Sequence, residues 1–345
     1  MKKMWKLLLT GALALSLTAC GGAQTEKPQE DKKGQEEPAA SNYPEKAITI
    51  VAPSGAGGGW DKTARSLAKV LGETKLVDQT MTVENKPGGG GAVFLAEYVN
   101  QDKNNPYKLF VNSPPILINN NKKEGNSPFG FEDTTPLAQL TRDYGAIVVK
   151  ADSPYNDLVS VLEAIKNDPT KVTVAGGSAP GSMDHLIAVL PAYKYGADPK
   201  SVKYVSYDGG GEAIAALLGG NADVIATDAS AVGEYLKAGK VKVLAVSSTE
   251  RLGGDLKDIP TFKEAGVDAQ FTIWRGVFGP KEMPEDAKNF WAEKLKALSD
   301  TEEWKKELQA NGWESEFKNP EEFSTFLAEQ NQQIKELLDA LGMSK

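Results

Sequence analysis

Histidine and cysteine are almost missing from this chain of 345 residues, which has one of each. A lone histidine excludes a multi-histidine metal site and leaves His185 as the sole histidine for any Ser-His-Asp chemistry. A lone cysteine excludes an intrachain disulfide, a cysteine zinc cluster and a C-x-x-C redox pair. Positive charge is also short: 39 Lys+Arg stand against 47 Asp+Glu, a net charge of −8. Nucleic-acid partners require a basic surface, so none is expected. Past residue 19 no apolar run approaches the ~20 residues that cross a bilayer, so no transmembrane helix is expected in the body. What is present, 40% hydrophobic and 25% charged residues, is ordinary for a globular protein. The length suits a large core divided between about two domains.

The cysteine is informatively placed. Lys2, Lys3 and Lys6 precede an apolar run over 7–17, which ends in Leu17-Thr18-Ala19-Cys20. The run is too short to span a membrane and has the flanks of a signal peptide. Leu-Thr-Ala-Cys resembles the lipobox of bacterial lipoproteins, in which cleavage leaves a lipidated cysteine as the new N-terminus. The plainer alternative is a secretory signal with a chance cysteine at its cleavage site. Removing residues 1–19 takes away three lysines and no acids, leaving 36 basic against 47 acidic residues and a net charge of −11. Residues 21–42 contain no aromatic or branched aliphatic side chain, so they cannot bury enough apolar area to offset the entropy of ordering. The expected organisation is a signal peptide over 1–19, then a lipidated Cys20 and a disordered tether over 20–42. The folded body takes the remaining 303 residues, 43–345.

Within that body, strand-like runs over 47–52, 81–84, 108–112, 147–150, 172–175, 202–206, 222–227 and 241–246 alternate with amphipathic stretches. These stretches cover 61–71, 92–100, 158–167, 184–195, 212–218 and 231–237. Such alternation predicts an α/β fold with parallel strands and helices on both sheet faces. The last 60 residues read as helical. Asn319-Pro320-Glu321-Glu322 combines an N-cap, a proline at the first helical position and first-turn acids. The helix it opens places Phe323, Phe326, Leu327, Ile334, Leu337, Leu338 and Leu341 on one stripe.

Glycine gathers at strand ends, over 55–59, 88–91, 176–181 and 209–211. Glycine lets main-chain N–H groups approach a ligand, and helix N-termini favour anions. In open α/β sheets, ligands bind beyond the carboxyl ends of the strands. These loops therefore point to an anion site built from backbone donors. The Walker pattern fails because Asp61 stands where glycine must precede Lys62-Thr63, and G-x-G-x-x-G fails at Trp60. G-x-S-x-G does not fit Ser178, because Pro180 occupies the second glycine position. Ser182, Asp184 and His185 invite a hydrolase reading, yet neighbours at a helix start point in different directions, whereas a triad is a spatial arrangement. No enzyme, metal or cofactor is expected.

The residues then carry a resemblance. Tyr43-Pro44-Glu45-Lys46-Ala47-Ile48, followed by the first glycine loop and Thr63-Ala64-Arg65, resembles the opening of the tripartite tricarboxylate transporter receptors, also called Bug-type solute receptors. Val83-Glu84-Asn85-Lys86-Pro87-Gly88-Gly89-Gly90-Gly91 is similar to that family's V-x-N-[KR]-P-G-x-G-G signature. Further matches follow in order at 176–185, 205–210, 217–220, 238–241 and 259–266, so the resemblance covers roughly 43–342. Gly58-Gly59-Trp60-Asp61 and Trp274-Arg275-Gly276 resemble the branch named for citrate and related acids.

The resemblance implies a two-lobed type II periplasmic-binding-protein fold with a ligand cleft between lobes. Lobe one would be discontinuous, over 43–143 and 250–345, and lobe two would cover 144–249. Position by position it points to Ser54, Gly55, Ala56, Gly58, Gly59, Trp60, Asn112 and Ser113 from lobe one. Lobe two would add Ser178, Gly181, Ser182, His185, Tyr207, Gly209, Gly210, Thr227 and Asp228. The fork of Arg275 could hold a ligand carboxylate or form an ion pair between lobes. Asp228 is expected to cap the helix beginning at Ala229, unless the ligand carries an ammonium group. Trp60 and Trp274 read as packing residues, and Asp61 with Arg65 as an i,i+4 pair. The implied function is that of an extracytoplasmic lipoprotein, a monomer anchored to the cell membrane. It would bind a di- or tricarboxylate such as citrate and deliver it to large and small integral membrane permease subunits. The rivals are a receptor of the same fold for an aromatic acid or acidic amino acid, and a secreted hydrolase using Ser182 and His185.

Overall fold

The computed structural model describes residues 42–125, 127–207 and 209–345. The signal peptide, Cys20 and all of the tether except Asn42 lie outside the described residues, as does Asp208. Among the described residues, ten strands and ten helices follow one another along the body. The strands are β1 (Ile48–Ala52), β2 (Met81–Asn85), β3 (Lys108–Asn112), β4 (Thr134–Lys150), β5 (Thr173–Gly176), β6 (Lys203–Ser206), β7 (Val224–Asp228), β8 (Val241–Val246), β9 (Thr272–Pro280) and β10 (Glu314–Lys318). The helices are α1 (Gly59–Glu73), α2 (Ala92–Gln101), α3 (Pro115–Asn121), α4 (Leu158–Asn167), α5 (Met183–Lys194), α6 (Gly210–Leu218), α7 (Gly233–Lys237), α8 (Glu285–Asp300), α9 (Glu302–Asn311) and α10 (Pro320–Leu341). Among the described residues, no helix is long and apolar enough to cross a membrane.

β4 organises the fold. Its 17 residues change partners midway. From Thr134 to Tyr144 it pairs antiparallel with β9, and it pairs with β10 around Gln139–Arg142. From Gly145 onward it pairs antiparallel with β7 and, from Ala146, with β8. One half of the sheet therefore reads β2-β1-β3-β9-β4 and the other β4-β7-β5-β6. β3 is antiparallel to β9 and so runs with β4, whereas β7 runs against it. β1 and β2 follow β3, and β5 and β6 follow β7. The carboxyl ends of the two sets consequently face each other across the middle of β4: β3 ends at Asn112, opposite Gly276, and β7 ends at Asp228, opposite Gly145.

Helices cover both faces of each half. α1, α8 and α9 bury Leu67, Trp291 and Trp304 against Ile48, Ile50 and Val277. α10 packs Phe323 edge-on against Trp274, whose ring is fully buried. Asn319 caps α10 through the amides of Glu321 and Glu322, and Glu322 returns a bond to the Asn319 amide, so the N-terminus read from the sequence is the one observed. The eight expected strands all form. The antiparallel strands β9, β10 and the first half of β4 were not anticipated, so the sheet is mixed rather than parallel. β4 buries Gln139, Thr141 and Asp143 beside Leu137 and Leu140, which erases the polar–apolar alternation that marks a strand.

Candidate functional site

The first glycine loop leaves β1 and enters α1. Asp61, in the first turn, accepts bonds from the Gly57 amide at 2.7 Å and from Asn85 Nδ2 at 2.9 Å, and pairs with Arg65 at 2.9 Å. Asn85 Nδ2 also reaches the Ser54 carbonyl at 3.1 Å. Burial opposes ionisation of Asp61, but the bonds from Arg65, Gly57 and Asn85 outweigh it and hold its carboxyl below the usual range. The expected Asp61–Arg65 pair is thus a clamp that shapes the loop. Trp60 is buried and donates from Nε1 to Ser113 Oγ at 2.8 Å, while the Ser113 amide donates to Asn112 Oδ1. Gly55 has open space where a side chain would stand, whereas Gly58 backs onto Ser54.

In the second half, the loop after β5 is held by α5. Asp184 accepts from the Gly177 amide at 2.6 Å, and its own amide donates to Ser178 Oγ at 2.9 Å. Tyr204 donates to the Ser178 carbonyl at 2.8 Å. A Cβ at Gly177 would lie 2.2 Å from the Gly210 nitrogen, so this loop touches the start of α6. Gly210 in turn faces Thr227 Oγ1, the Tyr207 amide bonds the Gly176 carbonyl, and Gly209 is open.

Arg275 joins the halves. It is 4% exposed, and its guanidinium lies against Gly59, where an added Cβ would meet Nη2 at 2.6 Å. Nη2 pairs with Asp228 Oδ2 at 3.2 Å, and Nε has no partner. The structure therefore brings together Gly59, Arg275, Asp228, Thr227, Gly210 and the Gly177–Ser178 turn, with Trp60, Asn112 and Ser113 alongside. Ala56 stays with the first loop. Gly181, Ser182 and His185 form the far end of the α5 turn, with Gly181 at φ 73° close to Met343. α1 and α6 follow Gly58 and Gly209, neither of which gives a side-chain cap, so both present N-terminal amides at these loops, whereas in the first turn of α5 the Asp184 amide is taken by Ser178 Oγ. By contrast α4, α9 and α10 are capped by Asp157, Thr301 and Asn319.

One expectation needs correction. Asp228 stands at the N-cap position before Ala229 but makes no capping bond. Its carboxylate goes instead to Arg275, because a buried guanidinium is the stronger partner. The Ser182–Asp184–His185 arrangement is not a triad: His185 Nδ1 accepts the Gly181 amide at 2.8 Å, and Asp184 is engaged by Gly177. Burial pushes His185 down to about 4, so it is neutral near pH 7 and serves to hold the turn.

Sequence reasoning missed Asp143. It is 3% exposed at the changeover of β4 and accepts from Ser230 Oγ at 2.6 Å and from the Tyr144 amide at 2.8 Å. Its signal was a charged residue just before Gly145, where β4 meets Ile187 so closely that a Cβ would sit 2.5 Å away. Asp184 was noticed only as a triad member, and Tyr204 not at all. Burial raises the carboxyl of Asp228, against the pull of Arg275 and Lys62. Among the described residues, no group of His, Cys, Asp and Glu side chains is arranged to hold a metal ion.

Comparison with known proteins agrees with this architecture. The "UPF0065 protein in gbd 5'region" of Cupriavidus necator is 28% identical over 309 residues, which is 89% of this chain and 90% of that one. The structure of the periplasmic binding protein BugD is similar with a TM-score of 0.75 and 26% identity, over 88% of this chain and all of BugD. MatC from Rhodopseudomonas palustris, described with bound malate, shares the fold at a TM-score of 0.73 and 22% identity, over 86% of this chain and all of MatC. The fold is thus the two-lobed type II periplasmic-binding-protein fold. Residues 63–343 match the tripartite tricarboxylate transporter family receptor. With that match spanning most of the chain and loops converging from two lobes, the chain belongs to that family of extracytoplasmic solute receptors.

Proposed function

We propose that the protein captures a small organic acid, of the di- or tricarboxylate class that includes citrate, and delivers it to large and small integral membrane permease subunits. The observation that carries this reading is the meeting of two helix N-termini without a side-chain cap, α1 and α6, with the Gly177–Ser178 turn near the middle of β4. Exposed amides and the helix dipole favour a carboxylate there. The bound malate described for MatC, a protein of like fold, is in keeping with this ligand class. Lobe one would comprise 43–143 and 250–345 and lobe two 144–249, with rotation about the changeover of β4. On closure the open backbone at Gly55 and Gly209 and the hydroxyls of Ser54, Ser178 and Ser182 would complete the acid's hydrogen bonds. The protein would work as a monomer, tethered through a lipidated Cys20.

A second reading, a receptor for an acidic amino acid, is favoured by the pairing of Arg275 with Asp228 and by the nearby Asp143 and Asp184. These acids suit an ammonium group better than a third carboxylate. A thermal-shift panel of citrate, succinate, malate, glutamate, aromatic acids and phosphate separates the readings. An acid at one hundred times its dissociation constant is expected to stabilise the fold by about 2.7 kcal/mol. A shift with phosphate alone would sink both readings, and one confined to glutamate would sink the first.

A further inference from the structure

We propose that anion capture in this cleft is linked to protons held on a cluster of three carboxyl groups, the buried Asp143 and Asp184 and the partly buried Asp228, so that the protonated cluster binds the acid and the ionised cluster repels it. The proposal rests on the reading of the cleft as a carboxylate site. It concerns the regulation of that site.

The geometry sets the charge balance. Asp143 comes from β4, Asp184 from α5 and Asp228 from the end of β7; the first two are 3% and 5% exposed. Arg275 on β9 is the cation in contact with the cluster, and its ion pair goes to Asp228 at 3.2 Å. Lys62, on α1, acts on Asp228 through space without an ion pair to it among the described residues. Asp184 has no cation partner among the described residues. Its donor is the Gly177 amide, its charged neighbour is Asp228, and Tyr204 on β6 is the other titratable group beside it. Asp143 is bonded by Ser230 and the Tyr144 amide and faces both Asp228 and Arg275.

Three carboxylates sharing one guanidinium would leave two buried negative charges with only hydrogen bonds to offset them. A buried carboxyl without a cation takes up a proton instead. Burial first, and Asp228 second, push Asp184 up to about 8 and Asp143 up to about 7. A ligand carboxylate entering beside them adds negative charge and raises the cluster's affinity for protons further. Because the groups interact, the protons belong to the cluster as a whole. Linkage then requires affinity for the anion to fall as pH rises through the range where the cluster ionises.

The test is calorimetric titration of the native protein with malate and with citrate, in phosphate and in Tris buffer. Near neutral pH the apparent enthalpy is expected to differ between buffers in the sense of proton uptake. Affinity should fall by up to about tenfold per pH unit between about pH 7 and 9. Asp184→Asn, and separately Asp143→Asn, are expected to flatten that pH dependence while keeping a hydrogen-bond acceptor at each position. Binding with buffer-independent enthalpy and constant affinity over this range would overturn the proposal and leave the receptor reading intact. Failure of both acids to bind at any pH would overturn the ligand class and the proposal together.

Discussion

Arg275 is buried with one close ionic partner, one face against Gly59 and an unpartnered Nε. Removing it leaves Asp228 beside Asp143 with no cation in contact. Arg275→Ala is therefore expected to lose about 1–3 kcal/mol of stability, less than for a fully buried pair because Asp228 is 23% exposed and can take up a proton. Asp228→Asn in the same background should recover part of that loss in urea denaturation. Equal losses in the single and double variants would show that the stranded carboxylate is not the cause. Both residues were legible in the sequence as chemistry, a guanidinium and a carboxylate placed near a cleft. Their pairing was not. It depends on β4 lying between β7 and β9, so that Asp228 opposite Gly145 and Arg275 opposite Thr141 reach toward each other over the changeover.

Loops and helices explain why glycine carried so much of the functional signal. At Gly177 the requirement is contact, since the α5 turn lies directly on the backbone that starts α6. Gly177→Ala should force the two loops apart, at a cost of about 1–3 kcal/mol. It should also weaken carboxylate binding by about tenfold or more. Gly211 is the control: nothing lies near its added Cβ and it sits inside α6, so Gly211→Ala should be neutral or stabilising by about 0.5–1 kcal/mol. Paired melting curves and binding isotherms decide the matter, and equal behaviour of the two variants would count against the contact. Elements with a clear period were legible, among them α4 and β8, whose observed limits are those expected. β9 and the first half of β4 hid because they are buried on both faces and carry polar side chains that break the apolar run expected of a buried strand.

For the molecule in its setting, the two-lobed receptor was legible because family signatures recur in order along the body. The meeting of the loops was not, since it follows from strand directions rather than from local pattern. The anchoring reading stands on the lipobox-like Leu17-Thr18-Ala19-Cys20. Cys20→Ser is expected to move the protein from the membrane fraction to the soluble extracytoplasmic fraction. Retention of the variant in membranes would count against lipidation. The placing of β9 also bears on the order of assembly during synthesis. β9 lies between β3 and β4 in the sheet, yet it follows every strand of the second half along the chain. A ribosome that has delivered residues 42–250 has made all the strands of one half, while the other still lacks the strand that must be inserted at its centre. That half has no route to its native sheet before Pro280 emerges, and until then the inner edges of β3 and β4 have no partner.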